Sequence, residues 1–195
     1  MVNVLTNLTA IAAAATGPFF ITNTAGNQAM DIATHLCTQL QPIQMFIEGN
    51  SAASQLFNLA SETTKGGTQY QFQSNNCAGF SVSYPGEKTG AQALRAQTVL
   101  QPESQVFFTV TPGTPGVNSG PFNIIFESPS QGPLYLTGWN PDVSFSQTGP
   151  LTFELENIGD SRQEWLFVLT CTELYGPLTT TFNNSHTILR GMKLG

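Results

Sequence analysis

Short stretches in which hydrophobic and polar residues alternate dominate this chain after Pro42. Tyr70 and Phe72 alternate with glutamines, and Phe80 and Val82 alternate with serines. A period of two sends successive side chains to opposite faces of a strand, so each stretch predicts a half-buried β-strand. The alternation recurs over residues 143–146 and 151–155. Denser apolar runs predict strands with both faces covered, over residues 105–111, 121–127 and 164–171.

Proline and glycine separate these stretches, as in Tyr84-Pro-Gly-Glu and Asn140-Pro-Asp. Proline fixes φ and glycine permits positive φ, so both residues punctuate turns. Counting the stretches between turns gives roughly eight to ten short strands, the pattern of an antiparallel β-sandwich or barrel. We predict an all-β, antiparallel β-sandwich, with a jelly roll as the first topology and an immunoglobulin-like sandwich as the second.

The first forty residues follow a different pattern. Apolar residues at near-helical spacing predict a short helix or an arm over residues 4–16, which Gly17-Pro18 would end. A clearer helical spacing runs from Ala29 to Leu40 and predicts a helix over residues 28–40, with Asn27 as its cap. We therefore expect residues 1–41 to form an N-terminal arm or helical segment packed on a β-sandwich of residues 42–195, within a single domain.

Charged residues are scarce, at 9% of the 195 residues, and the formal net charge is −6. The surface is therefore polar but nearly neutral, and such a surface loses water at low cost when a partner covers it. Nucleic acids and anionic membranes require clustered cations, which this chain lacks. The six cations are scattered along the sequence: Lys65, Lys88, Arg95, Arg162, Arg190 and Lys193.

Three cysteines, Cys37, Cys77 and Cys171, form an odd set without a C-x-x-C pair. Neither a disulfide framework nor a zinc site is indicated by this spacing. Buried free thiols are the preferred interpretation, in keeping with synthesis in a reducing cytosol. One disulfide plus a free thiol is the alternative. The chain start has no positively charged region before its apolar residues, so we do not expect a signal peptide.

The sequence contains no pattern that indicates catalysis, a cofactor or a metal. His35 and His186 are the two histidines, and neither has a nucleophile or a second ligand at suitable spacing. The carboxylates are dispersed, and Glu154 and Glu156 fit the wet face of a strand. Asp31 fits the first turn of the predicted helix, where the helix dipole favours negative charge. We therefore predict a protein that is not an enzyme.

Two tryptophans differ in their surroundings. Trp165 lies within an apolar run and is predicted to be in the core. Trp139 and Asn140 lie in a turn-like segment, where a large aromatic can stack on a sugar ring or enter a partner's surface. These two residues are the binding candidates, although the preferred interpretation of Trp139 is a partly buried turn aromatic that covers the edge of the core.

Two functional hypotheses follow. The first is a structural component of a virus or phage particle, such as a minor capsid, spike or decoration subunit, that self-assembles with other structural subunits on the virion exterior after synthesis in the host cytoplasm. It rests on the neutral polar surface, the β architecture and an analogy at the level of the fold. The alternative is a carbohydrate-binding or cell-surface-binding β protein, a lectin or secreted toxin, with a glycan receptor.

Overall fold

The computed structural model describes residues 3–5, 18–26, 28–47, 53–113, 120–139 and 148–169. Within these ranges the regular structure consists of antiparallel strands and three single 3-10 turns. The strands are β1 (Asn3–Leu5), β2 (Phe19–Asn23), β3 (Gln28–Ile32), β4 (Ile43–Ile47), β5 (Phe57–Thr64), β6 (Gly67–Ser74), β7 (Phe80–Ser83), β8 (Val99–Pro102), β9 (Phe108–Pro112), β10 (Phe122–Ser128), β11 (Gly132–Gly138), β12 (Thr148–Glu154) and β13 (Trp165–Leu169). The 3-10 turns are Ala33–His35, Ala53–Gln55 and Ser161–Gln163.

The alternation in the sequence is reproduced along strand β6. Tyr70 and Phe72 are buried, whereas Gln71 and Gln73 between them are half-buried on the opposite face. The predicted strands over residues 105–111, 121–127, 151–155 and 164–171 overlap β9, β10, β12 and β13. The stretch at residues 143–146 lies outside the described residues.

Six of the strands close into a barrel. Strand β2 pairs with β5, β5 with β6 and β6 with β9. The ring continues from β9 to β10 and from β10 to β13, and β13 returns to β2. Every one of these pairs is antiparallel. A closed ring leaves no unpaired edge inside the sheet, which protects it from pairing with another chain.

The remaining strands reveal a threefold plan. Each unit of four successive strands contributes its first and fourth strand to the barrel and its middle two to a hairpin: β3–β4, β7–β8 and β11–β12. The hairpins meet one another, because β12 pairs with β4 and bridges join Pro42 to Val99 and Gln97 to Thr152. This arrangement is a β-trefoil. The predicted jelly roll was wrong, since two stacked sheets would not give this ring of pairings.

The barrel interior is filled with aromatic side chains. The rings of Phe72 and Phe108 are stacked with centroids 4.9 Å apart, and those of Phe122 and Phe167 meet edge to face at 5.9 Å. Aromatic pairs in these geometries add stability beyond the area that they bury. Trp165 is 0% exposed, so its predicted core position is confirmed. The other fully buried rings are Phe19, Phe57 and Phe153.

The predicted helix over residues 28–40 was wrong. Residues 28–32 form strand β3, in which Met30 and Ile32 face the core and pair with Met45 and Ile43 of β4. The apparent helical spacing continued through Leu36 and Leu40, but these side chains are 55% and 46% exposed. Helical spacing of apolar residues does not produce a helix when the segment can instead form backbone hydrogen bonds with a neighbouring strand.

The other N-terminal prediction, a helix or arm over residues 4–16, is also corrected where the structure describes it. Asn3–Leu5 is strand β1, which pairs with β13. Residues 6–17 lie outside the described residues. Strands β2 and β3 precede residue 42 and belong to the barrel and its first hairpin, so the threefold plan includes part of the region expected to be an arm.

Cys37 and Cys77 form a disulfide with their Cα atoms 5.2 Å apart. The preferred interpretation as free thiols was therefore wrong for these two residues, and Cys171 lies outside the described residues. The bridge joins the loop after β3 to the turn between β6 and β7, and so links the first unit to the second. A sequence cannot reveal this pairing, because the two cysteines are 40 residues apart and become neighbours through the barrel.

Candidate functional site

The first hairpin has a second face, opposite the residues that enter the barrel core, and this face is largely covered, with Ala29 at 0% and Asp31 at 3% exposure. Asp31 on β3 lies across from Gln44 on β4, and Ala29 lies across from Phe46. Because side chains two apart on a strand share a face, these four residues point the same way. We call this set, Ala29, Asp31, Gln44 and Phe46, the first hairpin face. The first hairpin face therefore combines the carboxylate of Asp31, the amide of Gln44 and the half-buried ring of Phe46.

Asp31 is 3% exposed, and no ion pair in the described part of the chain involves it. Its carboxylate instead accepts a hydrogen bond from Gln44 Nε2 at 3.1 Å and one from Ser54 Oγ at 2.7 Å. Burying a carboxylate is costly unless hydrogen bonds compensate it, and Gln44 and Ser54 supply two such bonds here.

The third hairpin carries the corresponding face with different residues. Trp139 follows β11 and is half-buried, and its Nε1 donates to Thr152 Oγ1 at 2.8 Å. The Thr152 hydroxyl in turn donates to Glu154 Oε1 at 2.8 Å. Trp139 and Glu154 form part of the wall of an open cleft of about 310 Å³, which Arg95 and Glu156 also line. We call Thr137, Trp139, Thr152 and Glu154 the third hairpin face.

A guanidinium covers part of the tryptophan. The Cζ atom of Arg162 is 4.4 Å from the centroid of the Trp139 ring, within the range of a cation–π interaction. The same side chain forms an ion pair with Asp160, with 2.6 Å between Nη2 and Oδ2 and 2.9 Å between Nε and Oδ1. This forked pair of hydrogen bonds holds the guanidinium over the indole ring.

The side-chain hydrogen bonds from Arg162 lower the pKa of Asp160 to about 2, from an ordinary value of 3.8, while burial opposes this shift. A lowered folded-state pKa means that the pair stabilises the fold fully above pH 4 and loses this contribution as the pH falls towards 2. Because Arg162 is 36% exposed in its side chain, solvent limits the contribution to about 1 kcal/mol or less.

We expect Asp160→Asn to lower the free energy of unfolding by about 1 kcal/mol or less at pH 7 and to have almost no effect near pH 2. Asparagine retains the cap that Asp160 provides to the Arg162 backbone N–H. Urea unfolding of both proteins at the two pH values measures the difference. An equal loss at both pH values would show that the charge of Asp160 contributes nothing.

A second, smaller cleft of about 160 Å³ lies on the other side of the loop at residues 155–160. Tyr135 lines it, and burial followed by a hydrogen bond with Glu156 raises the pKa of Tyr135 to about 12. The phenol therefore stays protonated at every physiological pH and acts as a donor to Glu156.

The first and third hairpin faces occupy equivalent positions in their units. In each, a buried glutamine two residues before a fully buried aromatic holds the chain after the hairpin: Gln55 Nε2 donates to Ile47 O at 3.0 Å, and Gln163 Nε2 donates to Leu155 O at 2.9 Å. The aromatic partners are Phe57 and Trp165. The shared Gln-x-aromatic arrangement places both faces in the same setting of the threefold plan.

The structure describes some of the residues that the sequence singled out. Trp139 lines a cleft, whereas Asn140 lies outside the described residues. Asp31 was missed, because the sequence explained it as a residue of a helix that does not exist. His35 is exposed in a 3-10 turn, and His186 lies outside the described residues. In the described ranges, no three His, Cys, Asp or Glu side chains are grouped so that they could hold a metal ion.

No family model matches this chain, and no curated protein resembles it in sequence. Solved structures do match. A designed threefold symmetric protein, ThreeFoil, covers 78% of this chain and 98% of its own at 12% identity and a TM-score of 0.60. The Rhizoctonia solani agglutinin covers 79% and 95% at 16% identity and a TM-score of 0.58. The Haemophilus ducreyi cytolethal distending toxin covers 77% and 82% at 14% identity and a TM-score of 0.51.

Identities this low establish the fold alone, and that fold corrects the first functional hypothesis. The interpretation as a virion or capsid component depended on a jelly roll, and the match to β-trefoils removes that basis together with the expected assembly with other particle subunits. The similar structures include an agglutinin and a toxin. Among the described residues, no helix has the length and hydropathy to cross a membrane.

Proposed function

We propose that this protein binds carbohydrate, as a lectin, and that it is not an enzyme. The observation that carries the proposal is the first hairpin face, where a buried carboxylate without a cation lies beside an amide and an aromatic ring. These three groups suit a sugar, because a sugar ring offers hydroxyl donors along its edge and apolar C–H groups on its face.

The carboxylate of Asp31 has capacity for the hydroxyl groups of a sugar. An ionised carboxylate offers about four lone-pair positions, and Gln44 and Ser54 occupy one on each oxygen. To donate to the remaining positions, a sugar hydroxyl would have to enter at the small exposed part of Asp31, which is 3% of the residue. Hydrogen bonds to charged groups contribute about 1.5–3 kcal/mol each, about twice as much as those between neutral groups. Phe46, on the same face, is positioned for the apolar side of the ring.

The third hairpin face supports a second sugar position of different chemistry. Trp139 supplies an aromatic surface, and Glu154 and Arg95 supply an acceptor and donors around it. Since Arg162 covers part of the indole, a sugar at this face would contact the rest of the ring and the polar rim. The cleft volume of about 310 Å³ is at the lower end of the range for small-molecule sites.

The disulfide supports a location outside the reducing cytosol. Structural disulfides persist in secreted proteins and are rare in cytosolic ones. We therefore propose that the protein is secreted, in agreement with a role in binding glycans on cell surfaces.

We expect Asp31→Asn to weaken glycan binding by about 10- to 100-fold, because the variant keeps the shape of the side chain but loses the charge. A glycan array identifies the ligand, and isothermal titration calorimetry with that ligand measures the affinity of each variant. Trp139→Ala, measured in parallel, reports on the third hairpin face.

Glu62→Gln is the matched control, because it also removes one carboxylate charge but from an exposed position on β5. It should bind as the unmodified protein does. Binding of no glycan on the array would overturn the proposal. Binding that both Asp31→Asn and Trp139→Ala leave unchanged would exclude the two hairpin faces as its site.

A further inference from the structure

The largest cleft among those described lies away from both hairpin faces, against the outer surface of the barrel strands β5 and β6. Its volume is about 560 Å³, well within the range of small-molecule sites. Its walls are rich in side-chain amides and contain two half-buried phenylalanines. We call it the amide cleft and define it by Asn58, Gln71, Gln73, Asn75, Phe80 and Phe107.

Hydrogen bonds fix the orientation of the amides. Gln71 Nε2 donates to the carbonyl of Ser104, and Gln71 Oε1 accepts from Gln73 Nε2 at 2.9 Å. On the neighbouring strand, Asn58 Nδ2 donates to Asn75 Oδ1 at 3.2 Å. Each primary amide has two N–H donors and an oxygen with two lone pairs, so these bonds leave both donors and acceptors for a ligand.

The charges around the amide cleft restrict the class of ligand. Among the described residues that line it, Glu103 is the one ionisable side chain, and it is exposed. An anionic ligand would find no cation there, and a cationic ligand would find a single solvated carboxylate. The cleft therefore suits an uncharged ligand with many hydrogen-bonding groups.

Amides pair best with amides, because each group donates through nitrogen and accepts through oxygen. An acetamido group offers this combination together with a methyl group, and Phe80 and Phe107 provide apolar surface for the methyl. A plain sugar hydroxyl could use the hydrogen bonds but not the apolar surface. An acetamido sugar therefore uses more of what the cleft offers.

The rim of the cleft is held in place before any ligand arrives. The turn after β6 is closed by bonds from Cys77 N to Ser74 Oγ at 2.9 Å and from Phe80 N to Cys77 O at 3.0 Å. The disulfide from Cys77 to Cys37 then ties this turn to the first unit. A rim fixed in this way reduces the entropy lost on binding.

We propose that the amide cleft is a separate binding site for uncharged glycans that carry acetamido groups. This site shares no residue with the first or third hairpin face, so either proposal can fail while the other stands. Its position on the outer surface of the barrel strands also sets it apart from the hairpins, which the threefold plan repeats.

The test is a titration followed by nuclear magnetic resonance, with triacetylchitotriose and cellotriose as probes. The two trisaccharides have the same backbone, and they differ in carrying an acetamido group or a hydroxyl group at the second carbon of each ring. We expect triacetylchitotriose to shift the side-chain NH₂ signals of Asn58, Gln71 and Gln73, and cellotriose to bind at least about tenfold more weakly.

Gln73→Met should weaken triacetylchitotriose binding by about tenfold, because it removes an amide that supports no backbone group. Gln69→Met is the matched control, on the same strand and the same face but outside the cleft. Thermal unfolding checks that both variants fold.

Equal affinity for the two trisaccharides would overturn the acetamido preference. Signal shifts confined to the residues around Asp31 or Trp139, with none in the amide cleft, would overturn the site while supporting the hairpin faces. Shifts confined to the amide cleft would support this site and count against the two hairpin faces as the site for these trisaccharides.

Discussion

Replacing Trp165 with alanine is expected to lower the free energy of unfolding by about 3–5 kcal/mol, a large part of the stability of a typical domain. The indole is 0% exposed, and its Nε1 donates to the carbonyl of Leu136 at 3.0 Å, so it joins the barrel to the third hairpin. Alanine would leave a cavity in the barrel and an unpaired buried carbonyl, and both effects destabilise the folded state.

Trp165→Phe separates the two contributions. Phe57 and Phe108 hold the equivalent place in the other two units, each paired with the first barrel strand of its unit, so the site should accept a phenylalanine ring. We expect a loss of about 1–3 kcal/mol, mainly from the unpaired carbonyl. Urea unfolding followed by circular dichroism measures both variants. A loss below about 1 kcal/mol for Trp165→Ala would contradict the closed barrel, in which β13 completes the ring.

Single strands were predictable from the sequence because their signal is local. The alternation of Tyr70 and Phe72 with glutamines sets the two faces of β6 whatever strand lies beside it. The order of the strands depends instead on pairings between distant residues, such as that of Phe19 with Phe57 and that of Trp165 with Asn23. Sandwiches and trefoils both use short antiparallel strands joined by tight turns, so the local pattern does not distinguish them.

A signal for the threefold plan was present but weak. Gln55-x-Phe57 and Gln163-x-Trp165 share a spacing and a structural role, since each glutamine holds the chain that leaves a hairpin. The second unit has Val106 before Phe108, so the third copy of the pattern is broken. With only two copies and no further similarity between the units, the repeat is visible only once the barrel register is known.

The candidate site was harder to predict than the fold. Asp31 becomes notable only when β3, β4 and the 3-10 turn at Ala53–Gln55 bring Gln44 and Ser54 to its carboxylate. In the sequence, Asp31 fits a helix start equally well. Trp139 was recognisable without the fold, because a large aromatic in a turn stands out against polar neighbours. The scarcity of charged residues was compatible with both functional hypotheses, because a neutral polar surface can contact a sugar as well as another subunit.

The second large stability effect is expected at the disulfide. Reduction, or the double replacement of Cys37 and Cys77 by alanine, should lower the free energy of unfolding by about 3–4 kcal/mol, since the bridge closes a long loop in the unfolded chain. The loop after β3 adds to this dependence. Thr34, His35 and Leu40 all have positive φ values, a costly conformation for side chains with a Cβ.

Urea unfolding of the oxidised protein, the protein reduced with dithiothreitol and the double alanine variant measures this effect. The reduced protein and the double alanine variant should agree within about 1 kcal/mol, and a difference of that size would come from the buried Cys77 sulfur, which alanine removes together with the bridge. Equal stability of the oxidised and reduced proteins would contradict the prediction. A loss that appears only in the alanine variant would show that the buried Cys77 side chain, rather than the crosslink, stabilises the junction between the first two units.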